Sequence, residues 1–125
     1  MKVKLNDVVN LYISVRDIID NKKHDLSPIC QFRLLGILKS IESHVQNFEV
    51  IRNKKIIEYG KEDDEGNISI PPNDKENIKK FNIDMESVAN DEVEINTNIK
   101  IKSTDILNKK INTTTLMLLY PFIEE

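Results

Sequence analysis

The sequence predicts an α+β fold, and three observations carry that assignment. The run from Pro28 to Tyr59 holds one glycine, Gly36, and no further proline. One helix over that run is roughly 45 Å long at about 1.5 Å per residue. Further on, the pattern changes to a period of two. Val93, Ile95, Thr97, Ile99 and Ile101 fall on one face, and Glu94, Asn96, Asn98, Lys100 and Lys102 on the other. Finally, Lys2-Val3-Lys4-Leu5 alternates in the same sense and offers a partner strand. The expected architecture is a long antiparallel helical hairpin plus a third helix and a small antiparallel sheet. That sheet joins the N-terminal strand to a strand over about 92–102, and a short C-terminal helix closes the fold. All of it is read as one domain, 1–125.

Taken in order, the strand 2–5 ends at Asn6-Asp7, and Asn6 reads as the N-cap of a first helix over about 7–20. Val8, Leu11, Tyr12, Val15, Ile18 and Ile19 share one face of it. The polar stretch Asp20-Asn21-Lys22-Lys23-His24-Asp25 has a natural length for joining antiparallel helices. Ser27-Pro28 then supplies an N-cap and first helical position, and Tyr59-Gly60 a last turn followed by a left-handed stop. Between them Leu34, Leu38, Ile41, Val45 and Phe48 form a heptad-like seam, widened by Leu35, Ile37 and Ile51. The first helix is about half as long as the second. The stretch 46–59 therefore needs either the third helix or a second subunit.

Lys61 to Asn67 is a charged turn, and Ile68-Ser69-Ile70 a brief edge strand closed by Pro71-Pro72. Asn73 and Glu76 have capping-box spacing. They open a third helix to about Ala89, with Ile78, Phe81, Met85 and Val88 inward and Asn90 as its stop. The strand over 92–102 is expected to bend or break at Asn96-Thr97-Asn98. Asn112-Thr113-Thr114-Thr115 caps a short helix from Leu116 to about Tyr120, ended by Pro121. Ile111, Leu116, Leu118, Leu119, Phe122 and Ile123 need burial, so the tail is expected to dock.

Charge and composition narrow the function classes. Lys and Arg number 18 against 21 Asp and Glu, interspersed, for a net charge of −3. That balance speaks against a nucleic-acid partner or a polybasic membrane anchor. No stretch approaches a membrane span, and no apolar signal core follows Met1. Cys30 is the sole cysteine and reads as a small buried hydrophobe. A soluble intracellular protein is expected.

Chemistry is nearly silent. His24 and His44 have no second ligand at helical spacing and read as polar surface residues. Gly36, Gly60 and Gly66 form no phosphate cradle, and no serine sits in a nucleophile elbow. No cofactor and no metal is implied. Asp63, Asp64 and His44 are the remote candidates for catalysis, and the expectation is that the chain is not an enzyme.

Two charged segments remain. Glu62-Asp63-Asp64-Glu65 fails as a calcium loop, because placing Gly66 sixth puts Lys61 first and Pro72 twelfth. It reads as a solvated charge run or a protruding partner-binding loop. Arg52-Asn53-Lys54-Lys55 either complements the helix dipole or builds an anion pocket. In the second reading Arg52, Lys55 and Tyr59 join Arg33 or Arg16 of another subunit to grip phosphate.

The order of the pieces resembles a family of small proteins encoded by tailed bacteriophages and prophages. The opening Lys2-Val3-Lys4-Leu5 leads into a helix, and a long helix ends in the segment from Arg52 to Gly60. The acidic turn Asp64 to Asn67 follows, then a helix with Asn77 and Phe81, then Glu92-Val93-Glu94-Ile95. The ending is a short leucine-rich helix, a proline and two glutamates, Leu116 to Glu125. The family's Pro-rich cap before the last helix is replaced here by Asn112-Thr113-Thr114, which keeps the capping logic. The resemblance implies a viral protein acting in the cytoplasm of the infected bacterial host, and it carries no active site to transfer. It implies a binding protein that inhibits or sequesters a host-defence component. The partner would be a host protein or a small signalling nucleotide held as by a sponge. The alternative is a virion or tail-assembly accessory. A homo-oligomer is expected from the overhang of the long helix.

Overall fold

The computed structural model describes residues 1–21, 24–107 and 109–124. Lys22 and Lys23 of the connector, Asn108 and the terminal Glu125 lie outside the described residues.

The elements follow in chain order as β1 (Lys2–Lys4), α1 (Leu5–Asp20), α2 (Pro28–Tyr59), β2 (Lys61–Glu62) and β3 (Ile68–Ser69). They continue as α3 (Lys75–Ala89), β4 (Glu92–Glu94), β5 (Ile101–Lys102), α4 (Ser103–Ile106), α5 (Thr113–Leu119) and β6 (Ile123–Glu124). The fold is α+β, as the patterning predicts.

The core sits between α1 and the first half of α2. Leu5, Val8, Leu11, Val15 and Ile18 of α1 are buried, facing Cys30, Leu34, Ile37, Leu38 and Ile41 of α2. Fully burying each such aliphatic side chain contributes about 1.5–3 kcal/mol before entropy is counted. Cys30 is fully buried as expected, and burial pushes its thiol pKa up. Leu119 and Phe122 join the same core, so the tail is docked. Leu35, expected to widen the buried stripe, instead faces solvent, because α1 covers only one side of α2.

β1 and β4 pair antiparallel with Val3 opposite Val93, which is the expected sheet. The strand read over 92–102 is broken across Asn96-Thr97-Asn98, as expected, and divides into β4 and β5 with extended chain between them. The alternation survives without the ladder. Ile95 and Ile101 are buried and Ile99 half-buried, while Asn96, Asn98 and Lys100 are exposed. Packing explains the break, since Ile99 lies against the bare backbone of Gly36 on α2. β5 pairs instead with β6 in parallel, Ile101 opposite Ile123.

Four helix ends differ from expectation. Helix α1 starts at Leu5 without a side-chain cap. The Asn6 cap is not used, because the Leu5 amide donates to the Asp91 carbonyl at 2.8 Å and β1 runs directly into the helix. Helix α3 is capped by Asp74, not Asn73; its carboxylate accepts from the Asn77 amide at 3.2 Å. Gly60 ends α2 but is extended, with φ −91°, not left-handed. A Cβ there would stand 2.4 Å from the Ile56 carbonyl oxygen, so glycine serves close approach, not a positive φ. The remaining caps are as read. Ser27 accepts from the Cys30 amide at 3.2 Å, and Asn112 from the Thr115 amide at 2.8 Å. The C-terminal helix begins at Thr113, earlier than Leu116.

Candidate functional site

The second half of α2 carries most of the charged candidates, and α3 is what packs against it. Tyr59 ends the helix and Lys55 lies one turn before it. Both meet Asp84 of α3. The Tyr59 hydroxyl donates to Asp84 Oδ2 at 2.6 Å. Lys55 Nζ lies 2.9 Å from Glu58 Oε2, 3.4 Å from Asp84 Oδ2 and 5.9 Å from the centre of the Tyr59 ring. The Tyr59 hydrogen bond holds the Asp84 carboxyl below the usual range, with Lys55 adding to it. The same bond raises the Tyr59 phenol, and the Glu58 carboxylate raises Lys55. The cluster is a polar latch closing α3 onto the end of α2.

Arg52 is exposed, and its side chain makes no hydrogen bond or ion pair among the described residues. Arg33 sits about five turns earlier on α2, roughly 28 Å along the axis. Arg16 pairs with Asp20 at 3.5 Å. Within one chain, Lys55 and Tyr59 come together, Arg52 stands one turn away, and Arg33 does not join them.

Beyond the latch, β2 and β3 form a short antiparallel hairpin, Lys61 opposite Ser69 and Glu62 opposite Ile68. The stretch read as a charged turn therefore begins as a strand. Asp63 organises the tip. Its Oδ1 accepts from the amides of Glu65 and Asn67, each at 2.9 Å. Its own amide donates to the Asn67 carbonyl at 2.8 Å, and its carbonyl accepts from Gly66 at 3.1 Å. Gly66 supplies the left-handed residue of this turn, with φ 85°. The Asp63 carboxylate is thus committed to the turn, and Glu62, Asp64 and Glu65 stand exposed around it.

His24 departs from the surface reading, whereas His44 stays partly exposed. His24 is 6% exposed, and its Nδ1 bonds the Lys109 carbonyl at 2.9 Å. This bond spans sequence positions too distant for local patterning to reveal. His44 Nε2 bonds the Glu94 carbonyl at 3.0 Å, tying β4 to α2. It lies far along α2 from Asp63 and Asp64, so the remote catalytic candidates do not converge. No group of three or more His, Cys, Asp or Glu placed to hold a metal is found among the described residues. Also among the described residues, no helix is long and apolar enough to cross a membrane.

Sequence reasoning missed Asp84, which completes the latch. Its one signal is its place beside Met85 on the amphipathic α3, where a carboxylate borders the buried edge of the helix. No family model matches the chain, and no curated protein or solved structure matches it significantly.

Proposed function

We propose that this chain is a non-enzymatic, phage-encoded binding protein that inhibits or sequesters a host-defence component in the cytoplasm of the infected bacterium. It docks through the acidic tip beyond α2. The observation that supports this reading is the preorganised turn, with Asp63 binding two amides and Glu62, Asp64 and Glu65 left exposed. A preformed tip gives up little conformational freedom on binding, and its carboxylates steer a basic surface toward it. Ile57, about one turn before the hairpin and 61% exposed, offers an apolar contact near the charges.

The narrower reading is a nucleotide sponge using Arg52, Lys55, Tyr59 and Arg33. It requires a homo-oligomer, since Arg33 would have to come from a second subunit. The commitment of Lys55 to Glu58 and Asp84 weakens it as a phosphate ligand. A second reading, the virion or tail-assembly accessory, is favoured by Phe32, Leu35, Val50 and Ile57, which are exposed on α2. Such side chains suit packing in an assembly.

The test is charge reversal of the tip, Glu62→Lys with Asp64→Lys and Glu65→Lys, in a phage plated on defended and undefended hosts. Loss of plating on the defended host alone, with loss of one cross-linked host protein, is expected. Unchanged plating would overturn the docking assignment. Stoichiometric recovery of the chain in purified virions would favour the assembly accessory.

A further inference from the structure

At the opposite end of the molecule, α1 and the segment before α5 enclose a cleft of about 440 Å³. Ser14 and Asp17 line it from α1, His24 from the connector, and Lys110 and Thr115 from the other wall. Ile13, Ile18 and Ile111 supply its apolar surface. The volume lies in the range of small-molecule sites.

Several polar groups of this cleft have no partner among the described residues. Asp17 and Lys110 carry opposite charges, yet neither forms an ion pair or side-chain hydrogen bond among the described residues. His24 and Thr115 are 6% and 3% exposed. The Lys109 carbonyl accepts from His24 Nδ1, so in the neutral ring Nε2 is left as an acceptor without a partner. The Thr115 hydroxyl is likewise unbonded among the described residues, although the residue's amide is held by Asn112. No fully buried side-chain nitrogen or oxygen lacks a partner among the described residues. Both groups therefore reach solvent, and the cleft is a surface they share.

The wall of the cleft is also strained. Lys110 has φ 60° and Asp25, beside His24, has φ 45°. Residues with side chains adopt this region reluctantly, and such positions gather at ligand clamps. The His24 bond to Lys109 and the Asn112 cap hold Lys110 from both sides.

The geometry points to a binding site for a zwitterion of amino-acid to dipeptide size, independent of the acidic tip. An anion would meet Asp17 unopposed, and a cation would meet Lys110. A dipolar ligand answers both. Its ammonium faces the acceptors Asp17 and His24 Nε2, its carboxylate faces the Lys110 ammonium and the hydroxyls of Ser14 and Thr115, and its aliphatic part covers the isoleucines.

The test is a titration of glycyl-L-leucine to about 10 mM, followed by amide chemical shifts of the intact chain. N-acetylglycyl-L-leucine lacks the ammonium, and glycyl-L-leucinamide lacks the carboxylate. Saturable shifts at Ser14, Asp17, His24 and Thr115 are expected for the zwitterion, with about tenfold weaker binding of either blocked peptide. Asp17→Asn should abolish discrimination against the acetylated peptide, and Lys110→Met discrimination against the amide. Both residues are exposed, and unchanged melting of the variants verifies that the fold is kept. Absence of saturable shifts, or equal binding of the blocked peptides to the unaltered protein, would overturn the assignment.

Discussion

Residues 28–45 of α2 bury Cys30, Leu34, Ile37, Leu38 and Ile41 against α1, whereas residues 46–59 of the same helix bury no side chain fully. The distal stretch is held instead by half-buried contacts with α3 and by the latch of Tyr59, Lys55 and Asp84. The difference teaches where the molecule is rigid. Close-packed aliphatic burial resists opening under most conditions, while half-buried hydrogen bonds and ion pairs compete with water and contribute little net stability. The distal end should therefore open locally, well below the free energy of global unfolding. That end also presents the acidic tip.

The largest expected effect breaks the proximal half. Leu34→Ala should lower global stability by about 2–5 kcal/mol, measured by urea denaturation. Labelling of the Cys30 thiol reports the same opening, since the thiol is fully buried and its pKa raised by burial. Labelling should be negligible in the native protein and accelerate in the variant.

Next comes Gly60→Ala, which separates the hairpin from the core. The new Cβ meets backbone, the Ile56 carbonyl at 2.4 Å, and backbone cannot swing aside. A cost of about 1–3 kcal/mol is expected, with chemical-shift changes confined to residues 56–70.

The latch gives a pH-dependent effect confined to the distal half. The Asp84 pKa is lowered in the folded state, so its contribution is present above the ordinary carboxylate value and is lost as pH falls through the folded value. The Tyr59 pKa is raised, so its contribution is present below the ordinary phenol value and is lost as pH rises through the folded one. Distal protection should peak near neutral pH and fall on both sides. Tyr59→Phe should shrink both arms, because the one hydrogen bond that raises Tyr59 is also the main cause of the lowered Asp84, as measured by amide exchange across pH.

The smallest effect sharpens the comparison. Gly36→Ala places a Cβ 2.5 Å from Ile99 Cδ1, the end of a flexible side chain. Helix propensity returns about 1 kcal/mol, so the net change should stay within about 1 kcal/mol of zero, measured by thermal melting.

The helices were legible where local chemistry decides them. Ser27-Pro28 and Asn112 cap as their residue types suggest. Gly60 was legible in position but not in conformation, because glycine signals both a left-handed residue and a close approach. Asn6 misleads because the helix start is satisfied by a distant carbonyl, that of Asp91. The alternation over 93–101 reports burial, which is correct, and says nothing of ladder hydrogen bonds, which stop after Glu94 and resume only at Ile101. Of the candidate sites, the exposed acidic tip was readable from composition. The latch was not, because Asp84 belongs to another helix, and neither was the cleft, whose His24 is buried by a segment remote in sequence.

Amide hydrogen exchange of the native protein, resolved along α2 and repeated with Tyr59→Phe, tests the central claim most directly. Residues 46–59 should exchange through local opening while residues 31–45 exchange only with global unfolding, and Tyr59→Phe should accelerate the first set alone. Equal protection along the whole helix, or acceleration of both halves by Tyr59→Phe, would contradict that claim.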